Sequence, residues 1–193
     1  MRERENGILI GTVIDLDDPE KLGRVRARLP QYDDELTYWA RVVTPMAGQG
    51  RGLFLRPEVG DEVLIAFENG DPRRAYVLGA LWSKVDTPPP DDGDQTKNNW
   101  RFLVSRSGHV LRFDDTQGAE KIEVIDKSGK LKLVIDASGK KIQITCDSGD
   151  IELSAPAGSI KLDAKTVEIK SSADATLEAT GPLKLKGATV DIN

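Results

Sequence analysis

The chain has 193 residues, with 27 Lys+Arg against 32 Asp+Glu for a net charge of −5, and is 38% hydrophobic but only 5% aromatic. That length serves one domain or two small ones. The hydrophobic fraction excludes a disordered tail, and no apolar run approaches the ~20 residues of a helical membrane span. A single Cys and a single His exclude a disulfide scaffold, a Cys/His zinc site within one chain, and any Cys/His or Ser/His mechanism that does not use His109.

The start, Met1-Arg2-Glu3-Arg4-Glu5-Asn6, is charged with no apolar run behind it, so we expect no secretory signal and synthesis in the cytoplasm. Between residues 8 and 82 the apolar pattern has period two and is broken at short intervals by Gly, Pro and Asp, as an antiparallel β-barrel requires. Five strands are expected: Ile8 to Leu16, Gly23 to Leu29, Trp39 to Val43, Asp61 to Phe67 and Ala75 to Trp82, with Leu53, Phe54 and Leu55 as a short extra run. In the second strand, Val25, Ala27 and Leu29 share the inner face, and Arg24, Arg26 and Arg28 form an outer basic row available to a partner or to solvent.

Five short strands closing on themselves is the OB-fold pattern, a barrel that often binds single-stranded nucleic acid. The charge argues against that use, because residues 1–82 carry −3, residues 83–99 carry −2 and residues 100–193 carry zero. Tyr32, Tyr38 and Trp39 can be core or partner-facing. The run Gly48-Gln49-Gly50-Arg51-Gly52 has no Lys-Ser/Thr and no helix pattern after it, so it reads as a flexible loop and not as a phosphate cradle.

Residues 83–99 hold Pro88-Pro89-Pro90 and an acidic cluster, the composition of a semi-rigid extended linker, and we place a domain boundary there. Beyond it the composition changes: all the aromatic residues precede residue 114. From residue 122 a short unit repeats, with apolar pairs Ile122/Val124, Leu133/Ile135, Ile142/Ile144, Ile151/Leu153, Ile160/Leu162, Val167/Ile169, Ala175/Leu177, Leu183/Leu185 and Val190/Ile192. Early corners fall at Ser128-Gly129, Ser138-Gly139 and Ser148-Gly149, where glycine supplies a positive φ.

One such unit makes only one side of a prism. A single-chain β-helix of three coils is one solution, with open ends and few stacked turns. Three chains each supplying a side is the other, and we prefer this intertwined trimer, whose nine units stacked at ~4.8 Å give a rod of roughly 45 Å. Its axis would be filled by Ile142, Ile144, Ile151, Leu153, Ile160, Leu162, Val167, Ile169, Leu183 and Leu185. The narrow axis accounts for the lack of rings. Cys146 shares the parity of Ile144 and reads as a buried reduced thiol, and His109 as a turn residue.

The sequence resembles the central spike proteins of contractile phage tails and related injection systems, namely the baseplate assembly protein V family, VgrG and the T4 tail-spike trimer. The resemblance rests on Gly11-Thr12-Val13, Leu22-Gly23-Arg24-Val25-Arg26, Trp39-Ala40-Arg41-Val42, the run from Arg56 to Val63, Gly70-Asp71-Pro72 and Val77 to Trp82. Ser107-Gly108-His109 and Leu111 to Asp115 resemble the family's approach to its β-helix. The resemblance implies an all-β chain with an OB-fold collar over residues 1–82, a linker over 83–99 and a trimeric β-helical needle over 100–193.

It also implies a homotrimer seated under a separate hub protein, with Arg24, Arg26 and Arg28 as candidate hub contacts. A PAAR-like tip protein would meet Val190, Ile192 and Asn193. The 17 linker residues leave no room for a lysozyme domain, and no His-x-His iron tip is present. The implied role is mechanical puncturing of a target envelope on sheath contraction, with no enzyme activity, cofactor or metal, no nucleic acid, and only transient membrane contact. Such a protein is assembled in the cytoplasm and then forms part of a phage tail or injection particle. The competing reading is a trimeric tail-fibre-like protein that binds or depolymerises glycans, for which Asp114 and Asp115 are the nearest adjacent acids.

Overall fold

The computed structural model describes residues 7–94 and 96–191. Among the described residues the chain is all-β, with thirteen strands and two single-turn 3-10 segments. Eight strands lie in the N-terminal part: β1 (Ile8–Asp15), β2 (Arg26–Leu29), β3 (Glu35–Leu36), β4 (Arg41–Val42), β5 (Ala47–Gly48), β6 (Arg51–Gly52), β7 (Glu62–Phe67) and β8 (Ala75–Ala80). Six of them form one sheet in the order β3-β2-β1-β7-β8-β4, antiparallel except where β4 runs parallel to β8. A bridge between Val25 and Ala40 joins the two flanks of that sheet and gives it its OB-like curl.

The period-two pattern explains the core. Val13, Val25, Ala27, Leu29, Ala40, Val63, Ile65, Ala75 and Val77 are the buried apolar residues, and all are small, β-branched or Leu. Gly11 sits opposite Val63 in the β1–β7 register. A Cβ there would lie 2.7 Å from Ile65 Cδ1 and 3.0 Å from the Arg28 carbonyl oxygen, so the barrel admits Ile65 only because residue 11 has no side chain. No aromatic residue is among these buried residues, and Phe67 packs against them from the edge of the core. Tyr32 and Tyr38 are exposed, and Trp39 is half-buried beneath Arg26, whose guanidinium lies 5.8 Å from the ring centre.

The five expected strands are present with shorter bounds, and three local expectations are corrected. The Gly48–Gly52 run forms the β5–β6 hairpin, paired Ala47 to Gly52 and Gly48 to Arg51, where we expected a flexible loop. Gly50 takes φ 66° at its turn, and a Cβ on Gly52 would meet the Met46 carbonyl oxygen at 2.6 Å. Leu53, Phe54 and Leu55 are not a strand and are exposed. The outer basic row is not uniform, because Arg24 is bound to Asp18.

Residues 81–99 contain no helix or strand among those described. Five further strands follow: β9 (Trp100–Val104), β10 (Val110–Asp114), β11 (Lys121–Ile125), β12 (Leu131–Asp136) and β13 (Lys141–Cys146). They form an antiparallel meander in sequence order. The first three repeat units are therefore hairpin-linked strands of one sheet, and two strands precede them. From residue 147 to 191 there is neither strand nor helix, and every side chain is exposed. Gly129 and Gly149 carry the positive φ expected of a corner, at 70° and 113°, but at the middle corner Lys140 takes it at 51° in place of Gly139. There Asp136 Oδ1 accepts the Gly139 N–H at 2.7 Å, and a Cβ on Gly139 would collide with that carboxylate.

Candidate functional site

The two faces of the β9–β13 sheet differ chemically. Trp100, Phe102, Arg112 and Glu123 lie on one face, tied by the β9–β10 and β10–β11 registers. Arg112 lies 4.0 Å over the Trp100 ring, and its Nε donates to Glu123 at 2.7 Å. Trp100 meets Phe102 edge-on with centroids 6.3 Å apart. This stack covers its own charges, leaving Glu123 only 8% exposed.

The opposite face is open. Leu103, Leu111, Val124, Leu133 and Ile144 stand in one cross-strand row, and Phe113, Ile122, Ile135 and Ile142 in the next. All nine are exposed, Ile142 at 71%. A shallow cavity of about 660 Å³ lies on this face and reaches Ile151. The exposed apolar series then continues through Ile151, Leu153, Ile160, Leu162, Val167, Ile169, Leu183, Leu185 and Val190, with Ile169 at 82%. Monomer surfaces do not carry apolar series of this extent unpartnered.

The axis residues expected from the sequence begin at Ile142, within repeat units that begin at Ile122/Val124, whereas the exposed apolar face of the sheet extends upstream to Leu103 of β9. Cys146 shares the Ile144 face as expected and is half-buried within the single chain. Ile192 and Asn193 of the expected tip contact lie outside the described residues, while Val190 is exposed.

On the barrel, Arg24 is structural. Its Nε and Nη2 donate to the Asp18 carboxylate, Nη2 at 2.6 Å, and Asp18 also accepts backbone N–H groups from Glu20, Leu22 and Arg24. The Arg24 guanidinium, aided by those amides, holds the Asp18 carboxyl well below the ordinary carboxylate range. Arg26 donates to the Thr37 carbonyl at 3.4 Å, and Arg28 is exposed. Of the three candidate hub contacts, Arg28 is the exposed one.

His109 sits on the β9–β10 turn, where its Nδ1 accepts the Lys127 N–H at 3.2 Å, a structural contact. Asp114 accepts the Thr116 N–H at 2.9 Å, while Asp115 pairs with Arg101 at 2.5 Å. The two adjacent acids are thus engaged separately and do not converge on a common substrate position. Arg106 of the β9–β10 turn reaches Glu58 of the barrel at 3.1 Å, an exposed ion pair between the two parts of the chain.

Comparison with known proteins agrees with this geometry. Residues 9–82 match the family described as the type VI secretion system/phage-baseplate injector OB domain. The chain is similar to the type VI secretion system spike protein VgrG4b of Pseudomonas aeruginosa, at 35% identity over 54% of this chain and 14% of that protein. It is also similar to spike protein VgrG3 of Vibrio cholerae, at 29% over 61% of this chain and 13% of that one. A third relative, the actin cross-linking toxin VgrG1 of Vibrio cholerae, is 29% identical over 61% of this chain and 12% of its own length. The chain therefore spans less than a fifth of the length of these relatives. Residues 9–82 thus match an injector OB domain, and over 54–61% of its length the chain is similar to VgrG spike proteins.

Proposed function

We propose that three copies of this chain form the central spike of a contractile tail or injection particle, which pierces the target envelope when the sheath contracts. The observation that carries this reading is the unpartnered apolar series from Leu103 to Val190, whose downstream half has no strand or helix within its own chain. Backbone N–H and C=O groups that find no partner in their own chain need one elsewhere if they are to leave water. A threefold arrangement supplies both missing elements, strand partners and an apolar axis.

In this reading residues 1–82 are the collar, 83–99 the linker and 100–193 the needle. The upstream section brings three preformed β9–β13 sheets together by their apolar faces. The downstream section interwinds, with Ile151, Leu153, Ile160, Leu162, Val167, Ile169, Leu183 and Leu185 on the axis. The collar docks to a hub on another polypeptide, and the end of the needle, including Val190, receives a PAAR-like tip. The rod performs no chemistry, and its working property is stiffness. It is assembled in the cytoplasm and then becomes part of the particle.

The test is Ile144→Asp. Three buried carboxylates would be desolvated together near the axis, a cost of several kcal/mol per ion, so the variant is expected to stay a single chain in size-exclusion chromatography. A stable native-like trimer of Ile144→Asp would refute the arrangement.

A further inference from the structure

A second surface lies on the barrel, away from the apolar series, where β4 and β8 run side by side. Their parallel register sets Arg41 beside Tyr76. The Arg41 guanidinium lies 4.6 Å over the Tyr76 ring and donates to the Tyr76 hydroxyl. That hydroxyl in turn donates to Glu68 Oε2 at 2.6 Å, while Arg74 donates to Glu68 Oε1 at 2.9 Å. One Tyr and one Glu thus hold two arginines in place, and these bonds keep the Glu68 carboxyl ionised below its ordinary range, with Tyr76 the larger cause and Arg74 the next.

The cavity beside this relay measures about 280 Å³ and is lined by Arg24, Arg41, Arg73 and Arg74, with Glu68 as its single carboxylate. Arg24 is committed to Asp18 and Arg73 to Asp71 at 2.8 Å. Arg41 and Arg74 retain further N–H groups beyond the single bonds that fix them, in the planar fork that suits a carboxylate. A guanidinium already immobilised loses little side-chain entropy on binding.

We propose that this arginine–tyrosine socket is the docking site for an acidic segment of a partner protein, in which one or two Asp or Glu carboxylates bridge Arg41 and Arg74. It deepens the collar–hub contact of the proposed function and moves it from the β2 row to β4 and β8. An acidic protein segment is favoured over nucleic acid because the chain is net negative and would repel an extended phosphate backbone, whereas a short acidic stretch meets the socket alone.

The experiment is fluorescence anisotropy of the full chain with a labelled hexaglutamate peptide at low ionic strength, with a labelled ten-residue oligothymidylate in parallel. The peptide is expected to bind and to be displaced by salt. Arg41→Ala and Arg74→Ala should each weaken it about tenfold, Arg41→Lys should weaken it by losing the fork, and Lys84→Ala should not change it. An unchanged circular dichroism spectrum and melting midpoint will show that the variants are folded. Absence of peptide binding, equal binding by folded Arg41→Ala and Arg74→Ala, or tighter binding of the oligothymidylate would each overturn the assignment. The binding does not depend on the number of chains, so a socket that works in a chain that fails to trimerise separates this inference from the spike reading.

Discussion

Val25 and Ala40 exchange both of their backbone hydrogen bonds, Val25 N to Ala40 O at 3.0 Å and Ala40 N to Val25 O at 2.8 Å. Both residues are fully buried, and this one pair joins β2 to the β4 flank of the sheet. Ala40→Pro removes the donor and leaves the Val25 carbonyl buried without its partner. The expected loss is about 2–4 kcal/mol, read as a lower urea midpoint for the barrel. An unchanged midpoint would mean that the bridge is not what closes the sheet.

Two glycines on the strands that flank β7, Gly11 on β1 and Gly79 on β8, should respond oppositely to the same substitution. Gly11→Ala brings a Cβ against Ile65 and the Arg28 carbonyl, with the contacts under 3.1 Å noted above, whereas nothing lies within 4 Å of a Cβ at Gly79. Overpacking of a tight core typically costs about 1–3 kcal/mol. Gly11→Ala should lower the thermal midpoint by several degrees, and Gly79→Ala should leave it or raise it slightly.

Acid should loosen both parts of the chain. Asp18 is held ionised chiefly by Arg24, and Asp126 chiefly by the Leu131 N–H and then by Ser128, so both carboxyls titrate below their unfolded value. A depressed folded pKa means that the stabilisation is complete above the unfolded value of ~3.9 and is lost as pH falls below it toward the folded values. Urea midpoints should hold from neutrality to about pH 5 and fall steeply below about pH 4. Asp18→Asn should be less stable at neutrality and show a shallower fall in acid.

How far the sequence carried the fold depends on the range of each contact. The alternation of Val25, Ala27 and Leu29 against charged neighbours was enough to place the inner face of β2, because a strand's two faces are a local property. The resemblance of the collar likewise rested on short runs such as Arg56 to Val63. The pairing of Arg24 with Asp18 was not legible, because Asp18 is reached through a loop whose backbone amides also converge on that carboxylate. The socket was missed because Arg41 and Tyr76 meet only through the parallel pairing of β4 with β8. The β5–β6 hairpin hid in a glycine-rich run with no apolar alternation, and β9 and β10 carry Trp100 and Arg112 on the face where the repeat offered no guide.

The assembly face is expected to begin in the meander and not at Ile142. Leu111 lies between Leu103 and Val124 in the cross-strand row. Leu111→Asp should therefore disrupt association as severely as a charge further down the rod, while Arg112 and Glu123 on the other face keep the sheet itself folded. Size-exclusion chromatography with a circular dichroism control checks this. A trimeric Leu111→Asp chain would confine the interface to the downstream units.

The most direct measurement of the central claim is sedimentation equilibrium of the intact protein, whose chain mass is 21.1 kDa. The account predicts a single species of three times that mass, stable to dilution, with residues 147–191 resistant to protease. A monodisperse 21.1 kDa chain with that segment readily cleaved would contradict it.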